Sequence, residues 1–181
     1  MDFKEYITHF EGIIANDSPA EPYNDPDFME YAKLNWSRMN RWLKNGAVSD
    51  EASQKIKNIT DKQKWVLITE PWCGDAAHSV PFIAKMAEQN PHIELEIQLR
   101  DSGSEIDSYL TNGGKSIPKL IIRDTAGNDL NVWGPRPSSC QDIYNKSKAE
   151  GLEMDDLKVT LQKWYNEDKG KVVQQEITSL I

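Results

Sequence analysis

The chain contains only two cysteines, Cys73 and Cys140, and only three histidines, His9, His78 and His92. Two cysteines are too few for the disulfide framework of a small secreted protein, so in a reducing compartment both are expected as free thiols. The histidines are scattered without zinc-ligand spacing; no metal and no other cofactor is expected. No apolar run approaches the ~18 residues that a membrane span needs, and Met1-Asp2-Phe3-Lys4-Glu5 offers neither an apolar h-region nor a small-residue cleavage site. The expectation is a cytoplasmic protein with no membrane partner. Positive charge is scarce as well: 21 Lys and Arg against 29 Asp and Glu leave a net charge of −8, with the cations interspersed among acids. Such a surface repels a polyphosphate backbone, which argues against a nucleic-acid partner.

Bulky side chains are plentiful. Six Trp and six Tyr in 181 residues, with 38% hydrophobic residues, are enough for one folded core with an appendage. Phe3, Tyr6, Ile7, Phe10, Ile13 and Ile14 recur at three- and four-residue spacing, the stripe of an amphipathic helix over Asp2 to Ala15. Asn16 to Pro26 reads as a loop, after which Phe28, Ala32, Trp36, Met39 and Leu43 renew the period up to Gly46. Ser49 is placed to cap a third helix bearing Ala52, Ile56 and Ile59. Residues 1–61 are therefore read as an N-terminal helical extension packed on the core, and 62–181 as the main domain with C-terminal helices.

The pattern changes at Trp65-Val66-Leu67-Ile68-Thr69, a continuous apolar run expected of a central strand covered on both faces. A helix from about Gly74 to Gln89 follows, and then Ile93, Leu95, Ile97 and Leu99 alternate with polar residues as a second strand with one wetter face. A strand, crossover helix and strand imply a right-handed unit with its strands parallel. Ser104 to Thr111 is short and helical; Lys119 to Arg123 and Asp129 to Trp133 form an antiparallel hairpin across Asp124–Asn128. Ser138 or Ser139 is placed to cap a helix reaching about Glu150, and a longer helix begins near Asp155 with Leu157, Leu161, Trp164 and Tyr165 on one face. Trp36, Trp42 and Trp164, at helical spacing, are read as core.

This order, with Glu70-Pro71-Trp72-Cys73-Gly74-Asp75-Ala76 after the first strand, Ser116-Ile117-Pro118 before the hairpin and Trp133-Gly134 at its end, resembles the thioredoxin family over roughly residues 64 to 150. The Ala-Ala-His run, Asn-Gly-Gly-Lys-Ser-Ile-Pro-Lys and Trp-Gly-Pro-Arg-Pro look like a bacterial branch of thioredoxin-like proteins. The resemblance implies a three-layer α/β fold with a central mixed sheet of about four strands, plus the N-terminal helical extension. It implies a cis Pro118 packed against Cys73, Ile117 offering backbone hydrogen bonds to a bound peptide, and Trp72 shielding the thiol and joining the substrate surface.

A cysteine at a helix start meets unpaired N–H groups and a partial positive charge, which favour the thiolate. Cys73 is the expected catalytic thiol. Asp75 opposes that effect if its carboxylate lies near the sulfur, or else it caps the helix. Ala76 stands where a dithiol protein has its resolving cysteine, so exchange within the motif is impossible. A small thiol, another protein's thiol or Cys140 would have to complete a cycle, Cys140 being more readily a buried packing residue. The same topology brings Trp133, Gly134 and Arg136 to the Cys73 end of the sheet, with Arg136 either stabilising a thiolate or an acidic ligand or serving as a surface charge. The expected substrate-binding set is Trp72, Gly74, Asp75, Ala76, Ile117, Pro118, Trp133, Gly134 and Arg136. His78 lies five residues, about 140°, beyond Cys73, which does not make a Cys–His dyad, and is read as a packing or solvent-facing residue. The leading expectation is a monothiol protein forming mixed disulfides with protein or low-molecular-weight thiols and disulfides. The alternative is a non-catalytic peptide- or protein-binding module. Monomer and homodimer both stay open.

Overall fold

The computed structural model describes all 181 residues. Helix α1 (Phe3–Ile14) opens on a capping box, with Asp2 accepting from the Glu5 N–H and the Glu5 side chain accepting from the Asp2 N–H. Helix α2 (Pro26–Asn45) takes Pro26 as its first residue, one place inside the expected loop, because a missing N–H costs nothing in a first turn. Helix α3 (Asp50–Lys57) is capped by Ser49 as its sequence indicated.

Strands β1 (Gln63–Thr69), β2 (Ile93–Leu99), β3 (Lys119–Arg123) and β4 (Asp129–Trp133) form one mixed sheet in the order β2-β1-β3-β4. β1 runs parallel to β2 and antiparallel to β3, which pairs antiparallel with β4. Five consecutive β1 residues, Trp65 to Thr69, are buried. Successive strand residues face opposite sides, so helices must cover both faces of the centre, the three-layer arrangement that the resemblance implied. Beyond β2 the chain start lies alongside the sheet edge, Met1 exchanging N–H and carbonyl bonds with Ile97.

The crossover helix α4 (Gly74–Ala87) packs into the same core as α1 and α2. Tyr6, Phe10, Met39, Trp42 and Ile56 from the first three helices belong to one cluster with Trp65, Phe82 and Ile83. Helices α5 (Ser138–Ala149) and α6 (Met154–Asp168) build a satellite cluster of Cys140, Leu157, Leu161 and Tyr165.

One reading needs correction at the C-terminal side. Neither Ser138 nor Ser139 caps α5; its N-cap is Pro137, and the Ser138 N–H donates instead to Glu176 at 2.7 Å. The helix expected from near Asp155 is α6; beyond it Lys169 and Gly170 take left-handed conformations, and a further short helix, α7 (Lys171–Thr178), follows. A Cβ on Gly170 would sit 2.4 Å from the Phe82 ring, so the chain passes over α4 at a point that only glycine allows.

Candidate functional site

β1 ends at Thr69 opposite Leu99 of β2, and Ile68 pairs with Lys119 at the start of β3, while Trp133 at the end of β4 pairs with Leu120. One edge of the sheet therefore carries the Glu70–Cys73 loop, Arg100, the Ile117–Pro118 loop and Trp133–Arg136. Cys73 is the N-cap of α4 and makes no side-chain capping bond. Its Sγ–H instead donates to the Ile117 carbonyl at 3.3 Å, and the Ile117–Pro118 peptide is cis. The Ile117 N–H donates to no other group of the chain.

Cys73 as a residue is 7% exposed, at the floor of a groove that Tyr31, Trp72, Arg100, Lys115 and Ser116 also line. Burial, and next the Asp75 carboxylate, push the Cys73 thiol up to about 12, against the pull of the Ala76 N–H, Arg136 and the Asp75 N–H. The helix start does present its N–H groups to the sulfur, as the sequence argument required. Desolvation and a neighbouring anion outweigh them, so the conflict between helix start and Asp75 that the sequence left open falls to a neutral thiol at rest.

Asp75 does not cap α4. Its carboxylate pairs with Arg136 at 2.7 Å and accepts from the Tyr165 hydroxyl at 2.9 Å. Burial raises the Asp75 carboxyl above its usual range, opposed by Arg136 and Tyr165. Arg136 is thus committed to Asp75, with further bonding to Gln141 at 3.2 Å and its guanidinium 4.3 Å from the Tyr144 ring. Ala76 is buried in the core side of α4, where only its backbone reaches the sulfur.

Trp133 is buried, with its indole N–H donating to Glu176 at 2.7 Å, and Gly134 lies behind Pro118 with φ +112. A Cβ there would stand 2.2 Å from the Pro118 carbonyl oxygen. Both residues support the prolyl loop and line a neighbouring groove rather than the one over Cys73. Cys140 is fully buried beneath α6, and both cysteines are free thiols. Burial, then Asp75, also push the Cys140 thiol up to about 12.

His78 is buried and structural. Its Nδ1 accepts from the Trp42 indole N–H at 2.9 Å, so the ring proton sits on Nε2, 3.1 Å from the Gln162 side-chain oxygen. The ring stacks on Tyr165 at 4.4 Å.

Four groove residues escaped the sequence reading. Arg100, whose guanidinium lies 4.5 Å from the Trp72 ring centroid, was recoverable: the residue after a strand parallel to β1 must reach the Cys73 end. Lys115 and Ser116 sit beside the prolyl motif. Tyr31 carried no signal, because it comes from α2, where it closes over Gly74 so tightly that a Cβ there would lie 2.6 Å from its hydroxyl. Asn35 of the same helix donates to the Pro71 carbonyl at 3.2 Å and props the loop from beneath.

A sequence model described as thioredoxin matches residues 23–151. No curated protein matches the chain. Among solved structures, a protein of unknown function from Pseudomonas aeruginosa is similar at a TM-score of 0.62 and 14% identity, covering 99% of this chain and 90% of its own. An HIV epitope scaffold is similar at 0.58 and 14% identity, with 99% and 97% covered. At such identity the two structures speak for the fold alone. No helix is long and apolar enough to cross a membrane.

Proposed function

The chain belongs to the thioredoxin family, and from that premise we propose that it docks an extended segment of a partner across the Trp72–Cys73–Ile117 groove and forms a mixed disulfide with it through Cys73. The observation that carries this reading is the Cys73 sulfur at the start of α4, 3.3 Å from the Ile117 carbonyl that precedes cis Pro118. The free Ile117 N–H supplies a backbone donor for the docked segment.

In the exchange the Cys73 thiolate attacks one sulfur of the partner's disulfide, and the other partner sulfur leaves as a thiolate. Ala76 cannot resolve the product, so an external protein or small thiol attacks the mixed disulfide and releases Cys73. With the thiol at about 12 the resting protein is slow at neutral pH. Docking that displaces the Sγ–H bond to Ile117 and brings donors to the sulfur is what would quicken it.

A second reading, docking without exchange, is favoured by one observation: the buried thiol already spends its proton on Ile117. The test is a Cys140→Ser protein incubated with a disulfide-containing peptide, read by intact mass, alongside iodoacetamide labelling from pH 6 to 11. Exchange predicts a Cys73 adduct, removed by Cys73→Ser, and labelling that climbs about tenfold per pH unit without a plateau below pH 11. Peptide binding with no adduct at any pH leaves the second reading, and neither binding nor adduct overturns both.

A further inference from the structure

Beside the groove over Cys73, and sharing Tyr31, Gly74, Asp75 and Arg136 with it, lies a cavity of about 150 Å³ between α2, the start of α4, α5 and α6. Three cations line it, Arg38, Arg136 and Lys158, against the single carboxylate of Asp75. That local excess of positive charge stands in a chain of net charge −8. Arg136 is neutralised by Asp75, and Lys158 pairs only with Asp155 three residues earlier at 3.1 Å, a pair open to solvent on both sides. Arg38 has no carboxylate partner at all; its bond is to the Asn35 side-chain oxygen at 2.9 Å.

The two cations outside the Asp75 pair converge from different helices on one ring. The Arg38 guanidinium is 5.4 Å and the Lys158 ammonium 5.6 Å from the centroid of Tyr31. Two like charges thus flank one ring of the lining with no shared acceptor between them. Apart from Gly74, His78 and Gln162, the rest of the lining is aromatic and apolar, notably Tyr31, Tyr144, Tyr165 and Leu161. A cavity of this size accepts one six-membered ring.

We infer that this cavity binds a small monocarboxylate with a compact apolar or aromatic body, its carboxylate held by Arg38 and Lys158 and its body by the tyrosines and Leu161. A planar guanidinium without a carboxylate partner matches a carboxylate with two parallel bonds. Cys73 does not line the cavity, so carboxylate binding there does not require its sulfur.

The probe is benzoate, with benzamide as the neutral shape-match and inorganic phosphate as the anion lacking a body. The readout is the Trp42 indole N–H resonance, which reports on His78 in the cavity wall. Benzoate should shift it saturably at or below about 50 mM, with benzamide at least about tenfold weaker. Arg38→Gln, and separately the solvent-exposed change Lys158→Gln, should each weaken benzoate severalfold, whereas Cys73→Ser should leave it unchanged. Equal binding of benzamide, binding of phosphate in preference to benzoate, no saturation, or insensitivity to both cation changes overturns the inference. None of those results bears on whether Cys73 forms an adduct.

Discussion

At His78 a single ring shows how burial sets chemistry. Desolvation holds its pKa down to about 3, with the Gln162 bond opposing and the Arg38 and Arg41 charges assisting. Below the ordinary value near 6.5 the unfolded chain takes up a proton that the folded one refuses, so this residue's contribution to stability is full above pH 6.5 and is lost as pH falls toward 3. The loss runs at about 1.4 kcal/mol per pH unit, so urea unfolding should show about 2 kcal/mol less stability at pH 5 than at pH 7 from this group. His78→Gln should be less stable at pH 7 yet show a flatter dependence between those values; an unchanged slope would assign the acid sensitivity elsewhere. The same balance explains Cys73, where the helix position favoured a thiolate, Asp75 opposed it, and desolvation tips the outcome to the thiol.

Among the elements, α1 is the one whose role the sequence left most open. Its apolar stripe needed a partner, and it has two, α2 and β2: Phe10 lies 5.1 Å from the Trp36 ring of α2 and is fully buried in the main cluster. Tyr6 and Asn35 then abut the strand end and loop that carry Cys73, so the first helices form the underside of the candidate site. Phe10→Ala should cost about 3–5 kcal/mol, the range for a buried aromatic ring. Far-UV dichroism and tryptophan fluorescence should shift together in that variant, as one cooperative unit requires. If only part of the signal moved, α1 would be melting by itself. The helical periods, the Ser49 cap and the alternation of Ile93–Leu99 were all legible because each is decided within one or two turns of chain. The break at Lys169–Gly170 was not, since Phe82 sets the close approach there from almost ninety residues away.

For the molecule as a whole, charge and topology act over different ranges. The three groove cations, Arg100, Lys115 and Arg136, are each paired, to Asp101, Asp107 and Asp75. Local charge is therefore largely cancelled, and the net −8 governs the approach of a charged disulfide. Adduct formation at Cys73 should be faster with the dication cystamine than with the dianion dithiodiglycolate at about 0.01 M ionic strength, and the two rates should converge near 1 M, where screening shortens to about 3 Å. A faster dianion at low salt would show that the groove cations outweigh the global field.

The linear chain alone determined the order of strands and helices, the parallel and antiparallel senses that bring Cys73 and Pro118 to one edge, and the lack of a resolving thiol at Ala76. These follow from short-range periodicity, turn chemistry and the rules of strand connection. Tertiary structure decided the state of the site: the protonated Cys73 thiol, the Asp75 carboxylate tied to Arg136 and Tyr165, the Tyr31 and Arg100 walls of the groove, and the cation-lined cavity beside it. Ionisation depends on how much water is excluded and which charges lie within a few ångströms, and both are set by residues far apart in sequence.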